Sequence, residues 1–233
     1  MNDPNLGRSD VAVAESSAET RARFITRTYV HLTGAIFAFT AIEVFLFQAG
    51  LAENIARALM GTSWLLVMGA FIVVSWLASR VAHTAGTFAV QYAALTGFVL
   101  AEAIIFVPLL YVADRFAPGV IGSAALVTGL GFTGLSGVVF TTRKDFTFLG
   151  GILRFAFVIA LLLIVAGVIF GFQLGTFFSV AMVALAGGAV LYDTSNVLHH
   201  YPEDKYVGAA LELFASIALM FWYVLQLFLS RRS

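Results

Sequence analysis

Seven apolar runs fill the chain from about residue 28 to its end. They lie at about 28–48, 62–79, 87–112, 119–140, 148–171, 174–198 and 207–229. A hydrocarbon core ~30 Å thick needs ~20 apolar residues at the helical rise of ~1.5 Å, and each run approaches that length. Transmembrane strands would be shorter and would alternate in polarity, which these runs do not. The pattern predicts an all-α integral membrane protein with seven transmembrane helices. Only Phe172 and Gln173 separate the fifth and sixth runs, which forces an antiparallel helical hairpin. Pro108 removes a backbone donor and is expected to kink the outer half of the third span. Residues 1–20 (MNDPNLGRSDVAVAESSAET) are polar and small and read as a disordered tail ahead of a transmembrane domain at 21–233. They do not read as a signal peptide, because acids outnumber the single Arg8 and no apolar stretch follows.

Composition agrees with the pattern. The chain is 61% hydrophobic and 11% charged, with mean hydropathy +0.96, whereas soluble domains run near ~45–50% apolar and ~25% charged. The bilayer is therefore the expected surrounding. Thirteen basic residues balance thirteen acidic ones, which points to no nucleic-acid partner. Cysteine is absent, so disulfides and thiolate metal sites are excluded. Basic residues favour the cytoplasmic side. With the N-terminus cytoplasmic, that side holds Arg8, Arg21, Arg23, Arg27, Arg80, Arg143, Lys144, Arg154 and Lys205, and the other keeps Arg57, Arg115, Arg231 and Arg232. Seven spans then put the C-terminus outside; a re-entrant last span would return it.

Four carboxylates fall within the spans: Glu43, Glu102, Asp193 and Glu212. An ionised group at the centre of a bilayer costs ~2.5–3.5 kcal/mol on insertion scales and more in simulations, so each one needs a reason. Glu43 is near the outer end of the first span and is expected to snorkel to water. Glu102 is deeper, among apolar neighbours, and must face the bundle interior, be protonated or have a partner. Asp193 and Glu212 flank the loop HHYPEDKY at comparable distances from Pro202, so a hairpin brings them to similar depth. Two carboxylates there repel one another. They would bind a divalent cation when ionised and release it when protonated, and hard oxygen ligands suit Ca²⁺. Alternatively, Glu212 lies close enough to the surface to be solvated. Arg80 and Arg154, near inner span ends, are the candidate counter-charges. His31 lies near the inner end of the first span, His83 falls in a loop, and His199 and His200 follow the sixth span; they are pH-sensing candidates or simply solvated. Gly134-Leu135-Ser136-Gly137 is similar to the nucleophile motif of rhomboid intramembrane proteases. That chemistry needs a buried histidine as base, and no later span carries one deep inside. The expectation is therefore not an enzyme. No phosphate-binding loop or zinc-binding histidine pair is present.

Three segments together resemble the transmembrane Bax-inhibitor-motif family. They are Arg23-Phe24-Ile25-Thr26-Arg27-Thr28-Tyr29 with Leu32, Thr141 through Gly151 (TTRKDFTFLGG), and Tyr192-Asp193-Thr194-Ser195-Asn196. The resemblance runs from about residue 21 to the end. It implies a seven-helix bundle around one central helix and a pH-sensitive Ca²⁺ leak. In the family an aspartate at the position of Asp193 pairs with a second aspartate on the last helix. Here the last-helix motif Leu-Tyr-Leu-Asp reads Leu213-Phe214-Ala215-Ser216, so Ser216 stands in the second aspartate's place. Glu212, one turn earlier on the same face, is the candidate replacement acid. The Thr-Thr-Arg-Lys-Asp and Thr-Ser-Asn segments, with the serine, look closest to a proteobacterial branch. That branch implies the inner membrane and, as an alternative function, modulation of a membrane-anchored AAA protease through the N-terminal tail. No cofactor is implied; Ca²⁺ would be a permeant or transiently bound ion.

Overall fold

The computed structural model describes residues 12–84 and 87–231. All seven expected spans form as helices: α1 Ala18–Gln48, α3 Trp64–Thr84, α4 Phe88–Phe116, α5 Val120–Thr142, α6 Leu149–Phe170, α7 Gly175–His199 and α8 Tyr206–Ser230. An eighth helix, α2 Leu51–Met60, lies between the first two spans. It is too short to cross. It buries Ala52 and Ala56 on one face while Glu53 and Arg57 stay exposed on the other. The protein is a multi-pass, all-helical membrane protein. Its apolar exterior fits that setting: Phe155, Phe170 and Phe177 stand exposed, Phe177 at 92%, as expected of side chains that face lipid.

Several boundaries differ from the hydropathy reading. The ordered chain begins before the apolar run does. Ser17 caps α1 by accepting the Thr20 N–H, so α1 starts ten residues ahead of the run at 28. Residues 12–20 therefore belong to the fold and not to a disordered tail, while residues 1–11 lie outside the described residues. α3 continues past residue 79 to Thr84, which places His83 on a helix and not in a loop. α4 runs unbroken through Pro108, which is buried within it.

The α6–α7 hairpin turns in four residues. Gly171 adopts φ +73 as the helix ends and Gly175 adopts φ +69 as the next begins, a left-handed conformation that costs glycine little. α8 is the central helix. It packs against α1, α3, α4, α5 and α7, and it buries Leu211, Leu213, Val224 and Leu225. Close approach there depends on small side chains. A Cβ on Gly208 would meet the Ala82 carbonyl oxygen at 3.2 Å, so α3 and α8 touch backbone to backbone. One core cluster gathers Phe24, Leu32, Phe98 and Phe214 in the half of the bundle that holds the N-terminus. A second gathers Phe106, Leu110, Val190 and Val224 in the other half.

Candidate functional site

A cavity of about 760 Å³ lies among α3, α4, α6, α7 and α8. Its lining follows α8 from Glu212 to Gln226, a length of ~21 Å, or most of a bilayer core. Polar groups concentrate at the end nearer the N-terminal side, where Asp193, Glu212, Ser216 and Arg154 line the wall. Glu102 lines its middle. Trp64 and Trp222 line the opposite end and stack at 6.1 Å, with Phe106 edge-on to Trp222 at 5.0 Å.

Asp193 sits on α7, two turns before its end. The Ser216 hydroxyl on α8 donates to Asp193 Oδ2 at 2.5 Å. Glu212 is one turn nearer the α7–α8 loop, so it is shallower than Asp193, yet close enough for the two to interact electrostatically. Its own partners come from α3: the Ser79 hydroxyl donates to Glu212 Oε1, and His83 Nδ1 stands 3.7 Å from the same oxygen. His83 Nδ1 also bonds the Ser79 carbonyl at 2.7 Å. A carbonyl only accepts, so that nitrogen carries hydrogen. His83 Nε2 lies 2.9 Å from the Tyr201 hydroxyl. Burial pushes the Tyr201 phenol well above its ordinary range, with Glu212, Asp193 and Tyr192 adding to the effect, so it remains a hydroxyl.

Two of the sequence motifs turn out to be one structural unit. The α5–α6 loop reaches across to the end of α7. Ser195 Oγ accepts the Phe146 N–H at 2.9 Å and donates to Asp145 Oδ1 at 3.2 Å. His200 Nε2 lies 3.1 Å from Asp145 Oδ2. Hydrogen bonds from Thr147, then His200, hold the Asp145 carboxyl well below the usual carboxylate range. Gly150 completes the fit: a Cβ there would stand 2.8 Å from the Tyr192 ring, so only glycine lets α6 pass this close. The loop thus fixes the helix turn that carries Tyr192 and Asp193.

The N-terminal segment reaches the same end of the cavity. Ala12 pairs with Pro202, the Val13 N–H donates to the Tyr201 carbonyl at 2.9 Å, and the Val13 side chain is fully buried. The Arg21 guanidinium donates to the Ala14 carbonyl.

Of the residues singled out in the sequence, the cavity unites Asp193, Glu212, Ser216, Glu102 and Arg154. Arg80 is not brought to the acids; it is exposed, with its guanidinium 5.1 Å over the Trp76 ring. Glu43 does not snorkel. It is 6% exposed, and neither carboxylate oxygen has a hydrogen-bond partner among the described residues. Ser136 bonds the Thr194 hydroxyl at 3.2 Å, and no histidine reaches it among the described residues. Among those residues no three histidine or acidic side chains gather as a metal site. Ser79 and Tyr201 are functional candidates without a sequence signal of their own, and His83, expected in a loop, joins them from a helix. Ser79 and His83 stand at i and i+4, but the apolar run stops at residue 79, one turn short of the helix that puts both on one face.

Fold and site together define a multi-pass helical membrane protein with an acid-lined internal cavity. The chain belongs to the family described as inhibitor of apoptosis-promoting Bax1, whose model matches residues 21–233. It is 35% identical over 109 residues to a protein of Escherichia coli K12 named modulator of FtsH protease YccA, covering 46% of this chain and 49% of that one. The counterpart in another E. coli strain is named inner membrane protein YccA. An uncharacterized Pseudomonas aeruginosa protein is 38% identical over 112 residues, covering 47% and 49%. The chain thus spans about half the length of these bacterial relatives. Bax inhibitor 1 of Schizosaccharomyces pombe is 27% identical over 232 residues, covering 94% of this chain and 81% of that one. No solved structure matches.

Proposed function

We propose that the chain is a pH-sensitive cation leak protein of the bacterial inner membrane, with its N-terminal side in the cytoplasm and Ca²⁺ as the permeant ion. The observation that carries this is the cavity, which follows α8 for ~21 Å and holds Asp193 and Glu212 at one end. Two carboxylates and a serine hydroxyl offer oxygen donors to a hard cation without the six to eight ligands that a storage site supplies. Such a site captures Ca²⁺ weakly and lets it go. The stacked Trp64 and Trp222 narrow the opposite end. The acids make the leak respond to pH. Ionised, they attract the cation; protonated, they lose that attraction, so flux falls as the solution is acidified. The basic residues of the N-terminal side and the relative named inner membrane protein support the location and orientation.

The test is Ca²⁺ uptake by proteoliposomes of the full chain, followed with an entrapped indicator at about pH 8 and about pH 5. Uptake above protein-free liposomes that falls on acidification is expected. Uptake equal to protein-free liposomes at both pH values overturns the proposal.

A second reading is a non-transporting modulator of a membrane-anchored AAA protease. Its support is the name of the E. coli relative, modulator of FtsH protease, and the docking of Val13 onto the α7–α8 loop, which fixes where the N-terminal segment leaves the bundle. It predicts that a membrane-anchored AAA protease co-purifies with the full chain and is lost on deleting residues 1–11. Capture that survives the deletion removes the tail from this reading.

A further inference from the structure

We propose that the middle of the cavity is a binding site for a hydrophobic organic monocation, with Glu102 as its counter-charge. This does not depend on Ca²⁺ conduction, because it rests on a different part of the wall. Glu102 is 6% exposed, faces the cavity, and has neither a hydrogen bond nor an ion pair among the described residues. It lies ~21 Å along α4 from Phe88, near mid-span, whereas Arg154 is only ~8 Å along α6 from Leu149. The one cationic side chain in the wall is therefore nearer the mouth, on the level of Asp193. Arg154 also makes no ion pair among the described residues.

The surroundings of Glu102 select the kind of cation. Phe98 and Phe106 flank it at i−4 and i+4 on the same helix face. Phe71 of α3, Phe157 of α6 and Phe178 of α7 also line the cavity. A small divalent ion needs many oxygen donors or its own water. Aromatic rings offer neither, but their faces attract a large, weakly hydrated cation, and a desolvated site strengthens that attraction. The volume, about 760 Å³, falls in the range of ~300–1,000 Å³ common to small-molecule sites. Three carboxylates against one guanidinium favour a cationic guest over a neutral or anionic one. The apolar body of such a guest would lie among the phenylalanines, with its charge beside Glu102.

Tetraphenylphosphonium and tetraphenylborate, matched in shape and opposite in charge, are the probes. Each is titrated by equilibrium dialysis against the full chain in nanodiscs, with empty nanodiscs subtracted. Saturable binding of the phosphonium alone is expected. It should weaken at least about tenfold in Glu102→Gln, as expected for loss of an ionic partner in an aromatic site. Glu43→Gln, which removes a buried acid that does not line the cavity, should leave it unchanged. Equal binding of both ions, no saturable binding of either, or wild-type affinity in a folded Glu102→Gln overturns the proposal. If Glu102→Gln fails to fold, the comparison of the two ions on the unmodified chain decides.

Discussion

At Glu43 both carboxylate oxygens are buried without a hydrogen-bond partner among the described residues. A buried polar group left unpaired costs ~1–3 kcal/mol. Replacing it with an apolar side chain of similar size removes that cost. Glu43→Leu is therefore expected to stabilise the protein by about 1–3 kcal/mol, read as a raised midpoint in detergent or denaturant unfolding. A lowered midpoint would contradict the assignment of Glu43 as an unpaired buried carboxyl. Asp193 is the opposite case, since its Oδ2 is satisfied by the Ser216 hydroxyl. Where an aspartate would repel Asp193 or have to share a proton with it, a serine donates outright. The nearest further acid on α8 is Glu212, one turn away. The serine at 216 is plain in the sequence. The sequence did not show that Glu212 would be held by Ser79 and His83 of α3, because partners from a distant helix leave no mark in local spacing.

Among the elements, the α5–α6 loop carries the clearest consequence. Asp145 accepts the Thr147 N–H at 2.9 Å and ties Ser195 and His200 to the loop. Its carboxyl is held well below the usual range, chiefly by hydrogen bonds from Thr147. A carboxyl lowered in the folded state contributes its stabilisation in full above the ordinary value of ~3.9 and loses it only as pH falls through the folded value. The loop should therefore stay closed on acidification past pH ~4. Slow amide exchange over residues 143–150, unchanged between about pH 6 and about pH 4 after correction for intrinsic rates, is the expected result. Asp145→Ala should expose the same amides. Protection lost near pH ~4 in the native chain would contradict the assignment. Both motifs in this unit were legible as sequence; their contact was not. Helix ends proved the least legible part. Ser79 closes the second apolar run and His83 reads as a loop residue, yet α3 continues through both to Thr84. Leu51–Met60, with three exposed residues among its first five of mixed polarity, carries too little apolar length to stand out beside the spans.

For the whole molecule, the seven long apolar runs announced the architecture, because bilayer thickness allows few other solutions. Which helix stands at the centre was not announced. α8 and α7 have similar hydropathy, and only packing distinguishes them: small residues such as Gly208, Ala209 and Ala210 let α8 meet its neighbours closely. The cavity was likewise hidden, since it arises from five helices that leave space between them. Its wall joins Glu102, Asp193 and Glu212, three acids that sequence spacing could relate only in part. We propose that the acids at the N-terminal end of this cavity control cation passage through it. The most direct test compares the ratio of initial Ca²⁺ flux rates at about pH 8 and about pH 5 for the native chain and for Asp193→Asn, in the same liposomes at equal protein density. A large ratio is expected for the native chain and a clearly smaller one for Asp193→Asn, in which only Glu212 is left to respond. A variant that conducts with the native ratio would contradict the proposal.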